Sequence, residues 1–297
     1  MIHIIDLNFQ NKKNTIAAFL IENAGELALV ETGPFSTFQT LKKGVEAAGY
    51  SIDKIKKVFL THIHFDHAGA AWHFAQNGAT IYVHPRGLKH LAEPAKLYES
   101  AKLIYQDKMQ ELWGDMNAIE EKMLYAPQDG EKIKFGNTEL VAHFTPGHAV
   151  HHIAWQFGDD LFCGDVAGVK IETGIVVPPC PPPDINVEDW LKSIDAIKKL
   201  KVKRLHLVHY GTVVKVRAHL ESLSKRLVRW TNFVKKQSDK GLSAETITPL
   251  YVNLVKKELE RYGANTQLIS QYESANPAWM SVLGIMRYCK KKENIYR

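Results

Sequence analysis

Cysteine is scarce in this 297-residue chain. Cys163, Cys180 and Cys289 are widely spaced and odd in number, which excludes a disulfide framework. Also missing is any apolar run of the ~20 residues that a bilayer-spanning helix needs. Residues 1–7 are interrupted by Asp6 and followed by Asn11-Lys12-Lys13, so they hold neither the apolar core nor the small-residue cleavage site of a secretory signal. The expectation is a cytoplasmic protein with no membrane partner.

What is present is ordinary for a soluble globular protein. The chain is 45% apolar and 24% charged, enough for a substantial core in one large domain or two smaller ones. The net charge of +6 is unevenly placed: between Lys192 and Lys240 stand 14 Lys and Arg against only Asp195, Glu221 and Asp239.

The rest of the chain is organised around Thr61-His62-Ile63-His64-Phe65-Asp66-His67-Ala68-Gly69, which follows the apolar run Lys57-Val58-Phe59-Leu60. That run has the length and composition of a buried strand, and Gly69 with the Ala-rich segment after it suits a turn into a helix. The histidines then sit at a strand's C-terminal end, where α/β folds place their chemistry. Strand side chains repeat with period two, so His62 and His64 point the same way, while Asp66 and His67 turn back from the loop. Neutral imidazoles and a carboxylate in such a cluster are what a borderline divalent ion prefers.

This run resembles the signature of the metallo-β-lactamase-fold hydrolases. The further motifs of that family appear in order: Thr145-Pro146-Gly147-His148, Cys163-Gly164-Asp165 and Val208-His209-Tyr210-Gly211. The resemblance implies that His62, His64 and His148 hold a first metal ion, that Asp66, His67 and His209 hold a second, and that Asp165 bridges them. The implied cofactor is a pair of divalent ions, zinc first, with iron or manganese as alternatives. Glu31 stands where the family usually carries Asp, as support beneath the ligands. His152 stands where many relatives carry another His, and reads as a support or core residue.

Taken in order, residues 2–7, 15–22 and 26–31 read as a strand meander, 36–49 as a helix, 57–60 as the ligand-bearing strand, 68–77 as a helix and 80–83 as a strand. His84, which ends that strand, reads as an isolated polar residue. The pattern predicts a helical insertion over 86–128, from which Tyr98, Tyr105 and Trp113 are candidates to line a pocket. Strands follow at 131–135, 138–144, 152–157 and 161–164. The proline-rich stretch 166–186 reads as a stiff loop, Asn186 as the N-cap of a helix over 187–200, and 203–208 as the strand that delivers His209. After Gly211 everything reads as helix, with Thr248-Pro249 and Asn276-Pro277 as starts. By itself this pattern means α/β or α+β; the resemblance makes it a four-layer αββα sandwich. Its catalytic domain would span residues 1–211, and residues 212–297 would form a helical C-terminal extension.

The function implied is that of a dinuclear metal-dependent hydrolase, in which a metal-bound hydroxide oriented by Asp66 attacks a carbonyl. Acyl-homoserine lactonases of this fold place a Tyr shortly after the bridging Asp, whereas Asp165 is followed by Val166-Ala167-Gly168. A thiolate, with a conjugate-acid pKa of ~8.5, needs no such acid to depart. The first reading is therefore a thioester or ester hydrolase, similar to the hydroxyacylglutathione hydrolases. A lactonase or lactamase comes second, and a phosphodiesterase or nuclease third. The partner is a small-molecule acyl substrate, with Arg217 and Arg226 as candidates to hold an anionic carrier. No nucleic acid is expected; the oligomeric state is left open, with a homodimer as one option.

Overall fold

In the computed structural model, which describes residues 1–295, the opening meander is β1 (Ile2–Asp6), β2 (Ala17–Asn23) and β3 (Glu26–Val30), paired antiparallel. Then α1 (Phe38–Ala47) buries Phe38, Leu41 and Val45 on one face, and the chain returns as β4 (Lys57–Phe59), parallel to β3. The helix expected at 68–77 is instead two short ones, α2 (Phe65–Ala68) and α3 (Ala71–Gln76). The break has a cause: the Ala70 amide donates to Gly33 O at 3.0 Å, outside the helix. Asp66 and His67 consequently ride on a helical turn rather than a free loop.

After β5 (Thr80–Tyr82) the insertion forms α4 (Pro85–Ala92), α5 (Ala95–Tyr105) and α6 (Met109–Trp113). His84 caps α4, its Nδ1 accepting from the Arg86 amide at 3.1 Å. The insertion is not helical to its end. Beyond Gly114, whose φ is +68°, it runs irregularly into β6 (Leu124–Tyr125), which pairs parallel with β5. A two-residue strand has no periodicity to read; the unpaired edge of β5 creates it.

The second sheet begins with the meander β7 (Lys132–Phe135), β8 (Thr138–Phe144), β9 (Ile153–Phe157) and β10 (Asp160–Gly164). The crossover helix α7 (Val187–Lys199) starts where Asn186 Oδ1 accepts from the Asp189 amide at 3.0 Å, and leads to β11 (Arg204–Leu207), parallel to β10. Contrary to an all-helical remainder, β12 (Gly211–Val213) then pairs antiparallel with β11 and becomes the sheet's edge. The strand orders are β1 to β6 in one sheet and β12 back to β7 in the other.

These sheets face each other. Phe19 on β2 meets Phe162 on β10 with ring centroids 5.2 Å apart, and Phe59 on β4 meets Trp155 on β9 at 4.9 Å. The Trp155 indole also donates to Leu60 O at 2.9 Å, satisfying a polar atom where no water reaches. Helices α1 and α3 cover the first sheet; α7 and α8 (Val216–Ser238) cover the second, giving the four layers. The remaining helices are α9 (Ala244–Arg261), α10 (Thr266–Ala275) and α11 (Ala278–Ile295). The start expected at Thr248-Pro249 is displaced: α9 begins after Ser243, whose hydroxyl accepts from the Thr246 amide at 3.4 Å. Pro249 lies inside the helix, and the carbonyl it leaves without a donor belongs to the exposed residue Glu245. Helix α10, whose start is not among those expected, is capped by Asn265, accepting from the Leu268 amide at 2.9 Å.

Candidate metal centre

The C-terminal ends of β4, β10 and β11 open on one edge of the sandwich, joined there by the β8–β9 loop. The edge is closed from both sheets: the Ile153 amide donates to Thr61 O at 2.7 Å, and the Ala17 amide to Val208 O at 2.9 Å. His62 Nε2 and His148 Nε2 lie 2.9 and 3.1 Å from the Nδ1 of His64, so three nitrogens converge. On the other side, Asp66 Oδ2 lies 3.6 Å from His67 Nε2 and 3.4 Å from His209 Nε2. Asp165 stands between, its Oδ2 3.3 Å from His148 Nε2 and its Oδ1 3.6 and 3.4 Å from His67 and His209. Within each of the sets His62–His64–His148, His62–His67–Asp165 and Asp66–His67–His209, the ligand atoms lie within 4.8 Å of one another.

Each ring is held from behind, which fixes the nitrogen it presents. His148 Nδ1 faces Pro179 O at 2.9 Å, and His209 Nδ1 faces Thr15 O at 2.7 Å. His67 Nδ1 faces Glu31 Oε1 at 3.2 Å. Glu31 is fully buried with φ +64°, a backbone turn that swings its longer side chain beneath the ligands. There its carboxylate also accepts from the Thr61 amide at 3.3 Å and from the Thr61 hydroxyl. His62 Nδ1 lies 3.0 Å from that same hydroxyl. His152 is pinned by Thr145 Oγ1 at 2.8 Å, and its Nε2 accepts from the Asp165 amide at 3.2 Å; it thereby positions the backbone of Asp165.

The residues fit a cation by an independent sign. His67 Nε2, His209 Nε2 and Asp165 Oδ1 are buried without a hydrogen-bond partner, yet they converge. Orphaned lone pairs meeting in a dry site are costly unless a cation takes them. Protonation behaves accordingly. Burial, then neighbouring histidines, hold His62 far below the usual imidazole range and His64 down to about 3, the neutral forms that ligate. Burial opposes charge on His67 too, but Asp66, Glu31 and Asp165 outweigh it and raise its pKa to about 10 without an ion. Burial pushes Asp66 up, but His67 and His209 hold it well below the carboxylate range.

Other candidate residues are placed as follows. Trp113 is buried, and Tyr98 and Tyr105 are half-buried beside Phe65 and Trp113. Arg217 and Arg226 do not join them. Arg217 is exposed and pairs with Glu221 at 3.7 Å, while Arg226 is buried against Glu258 at 2.8 Å. Glu258 already balances the Arg226 charge. Cys163 is fully buried, and burial raises its thiol pKa, so it behaves as a small core residue. Thr61 carries no sequence signal of its own, although it adjoins the ligand histidines. Thr15 and Pro179 act through backbone carbonyls, which carry no sequence signature.

Fold and ligand geometry define an αββα sandwich whose loop edge is a His/Asp site for divalent metal ions. The chain belongs to the metallo-beta-lactamase superfamily, whose sequence pattern matches residues 13–209. The Metallo-beta-lactamase fold-containing protein ST1585 of Sulfurisphaera tokodaii is 30% identical over 166 residues, which are 54% of this chain and 63% of that protein. The chain therefore spans less than two thirds of this relative in that comparison. The crystal structure of ST1585, from Sulfolobus tokodaii, superposes with a TM-score of 0.61 at 25% identity, covering 74% of this chain and 84% of that one. TTHA1429, a metallo-beta-lactamase family protein of Thermus thermophilus, is 21% identical with a TM-score of 0.66. It covers 98% of this chain and 94% of its own, so the shared fold includes the helical C-terminal region.

Proposed function

We propose that this protein is a metal-dependent hydrolase that holds two divalent ions, zinc first, and cleaves acyl thioesters or esters. The observation that carries the reading is the convergence of seven His and Asp side chains with three orphaned ligand atoms among them. When bound, such ions supply an activated water and polarise the carbonyl oxygen. The chain's own part is positional. His62, His64 and His148 would hold one ion and Asp66, His67 and His209 the other, with the two oxygens of Asp165 shared between the sets. Asp66, 21% exposed at its side chain, is on the open side and would orient the attacking water by accepting its hydrogen bond.

The preference for thioesters rests on the leaving group. Val166, Ala167 and Gly168, next to Asp165, offer no proton donor, and Val166 and Ala167 are fully buried. A thiolate departs without one. A phosphate-tracking surface has less support, because Arg226 and Arg229 both pair with Glu258 and Lys235 with Asp239. We assign catalysis to residues 1–211 and support to 212–297, with the insertion 86–128 beside the site; β12 ties the two parts together through β11. The test is elemental analysis followed by turnover of the metal-loaded protein on thioesters, aryl esters, lactones, a β-lactam and RNA. Thioesters and activated esters should be cleaved fastest. Preferential RNA cleavage with steep salt dependence, or a folded, unchelated protein without bound metal, refutes the reading.

A further inference from the structure

Beside the ligands stands a wall of aromatic rings that holding metal does not require. Trp113, ending α6, stacks on Phe9 at 5.5 Å and 20°, meets Phe65 at 6.1 Å and takes the edge of Tyr105 at 5.1 Å and 71°. Phe65 immediately precedes Asp66 and touches Tyr98 at 6.2 Å. Trp279, from α11, approaches Tyr105 at 6.4 Å. The N-terminal segment, the ligand stretch, the insertion and the C-terminal extension thus each contribute a ring to one place next to Asp66.

Two features of this wall bear on what it could bind. Trp113 is only 8% exposed, and its indole N–H has no hydrogen-bond partner, while Tyr105 beside it is half-buried. A buried donor left unpaired is costly unless something bound takes its hydrogen. Moreover, Phe9 is held between Asn8 and Gln10 with φ of +49° and +54°, and Asn11 and Asn14 follow at +57° and +59°. Such backbone persists only where its surroundings impose it, and it gathers at ligand sites. Here α10 imposes it: Lys12 Nζ donates to Ser274 Oγ at 2.7 Å and Gln271 Nε2 to Lys13 O at 2.7 Å.

We propose that this wall is the acyl-group subsite, and that it selects a flat aromatic acyl group bearing an oxygen, to which the Trp113 N–H and Tyr105 O–H donate. This rests on the hydrolase reading and names the substrate class of the same site. The C-terminal extension, through Trp279 and through α10 behind Phe9, is then part of the substrate pocket.

The test has two arms. In the first, thioesters of one thiol carrying acetyl, octanoyl, phenylacetyl or 4-hydroxyphenylacetyl groups are compared on metal-loaded protein. Apolar contact should raise kcat/KM at least about tenfold from acetyl to phenylacetyl, and the hydroxyl should raise it further. Tyr105→Phe should abolish that second gain through a rise in KM of about tenfold, the worth of one lost hydrogen bond, with kcat and metal content unchanged. Trp279→Leu should reduce the first gain. The second arm needs no catalysis: phenylacetamide, but not acetamide, should quench tryptophan fluorescence of ion-free protein, and Trp113→Phe should lose this while keeping its melting temperature within a few degrees. If hydrolysis occurs with acetyl or octanoyl preferred, the subsite is overturned and the hydrolase reading stands. If nothing is hydrolysed but the aromatic amide binds, the hydrolase reading falls alone; if the amide does not bind, the subsite falls.

Discussion

Replacing Glu31 by Gln tests whether the buried carboxylate beneath the ligands sets metal affinity. The side chain is fully buried and accepts from the Thr61 amide at 3.3 Å, from the Thr61 hydroxyl and from His67 Nδ1 at 3.2 Å. Glutamine keeps the shape but turns one oxygen into a donor facing donors, so at least one bond is lost and the charge opposite His67 disappears. A hydrogen bond to a charged group contributes about 1.5–3 kcal/mol, and disturbing the partner of a ligand typically lowers metal affinity about 10–100-fold. The loss should be unequal. His67 is touched directly, His62 only through Thr61 at 3.0 Å, and His148 is held independently by Pro179 O. Competition titration of ion-free protein with a chromophoric chelator resolves the stepwise constants. A drop of about 10–100-fold should fall on one ion and a smaller drop on the other. No change, or an equal loss at both, would refute the idea that Glu31 acts through His67.

Three other perturbations follow from named contacts. Asp165→Ala removes the carboxylate between the two ligand sets, so elemental analysis should find bound metal reduced to about one ion or fewer and turnover largely lost. Wild-type activity would show that Asp165 is misassigned. For pH, burial lowers the His219 pKa to about 4 although its Nε2 faces Ala167 O at 2.8 Å, whereas the unfolded chain titrates near ~6.5. The unfolded state therefore binds the extra proton first, and stability present above pH ~6.5 is lost as pH falls toward 4, by at most about 1.4 kcal/mol per unit from this residue. Melting temperatures of His219→Gln should fall less steeply over that window than those of the parent, and parallel slopes would count against it. Finally, Gly147 has φ +138° and a Cβ there would overlap the Cα of Trp190; Gly147→Ala should destabilise the fold by about 3 kcal/mol or more, read as a large drop in melting temperature.

Much of the site is legible in the chain because its residues come in short runs. His62, His64, Asp66 and His67 lie within six residues behind an apolar strand, and local spacing suffices to read that. Caps are local too: Asn186 and Asp189, three apart, read as the helix start that they form. Thr248-Pro249 misleads for the same reason, since a Thr-Pro pair looks like a helix start wherever it falls. Ser243 takes the cap because its backbone is extended, with φ −74° and ψ 164°.

The sequence by itself determined most of the larger strands and helices and the residue types of the candidate ligands, because these depend on neighbours along the chain. Tertiary structure alone decided which atoms meet. Glu31 and His67 are 36 residues apart, and Thr15 and His209 are 194 apart; two of the ring partners, moreover, are backbone carbonyls that any residue could supply. It decided β6 and β12 as well, two and three residues long, because an edge strand is made by the unpaired hydrogen-bonding groups of the strand beside it. It also placed Arg226 against Glu258. A helical wheel shows which face a charge occupies, but only the fold shows what is already waiting there to neutralise it.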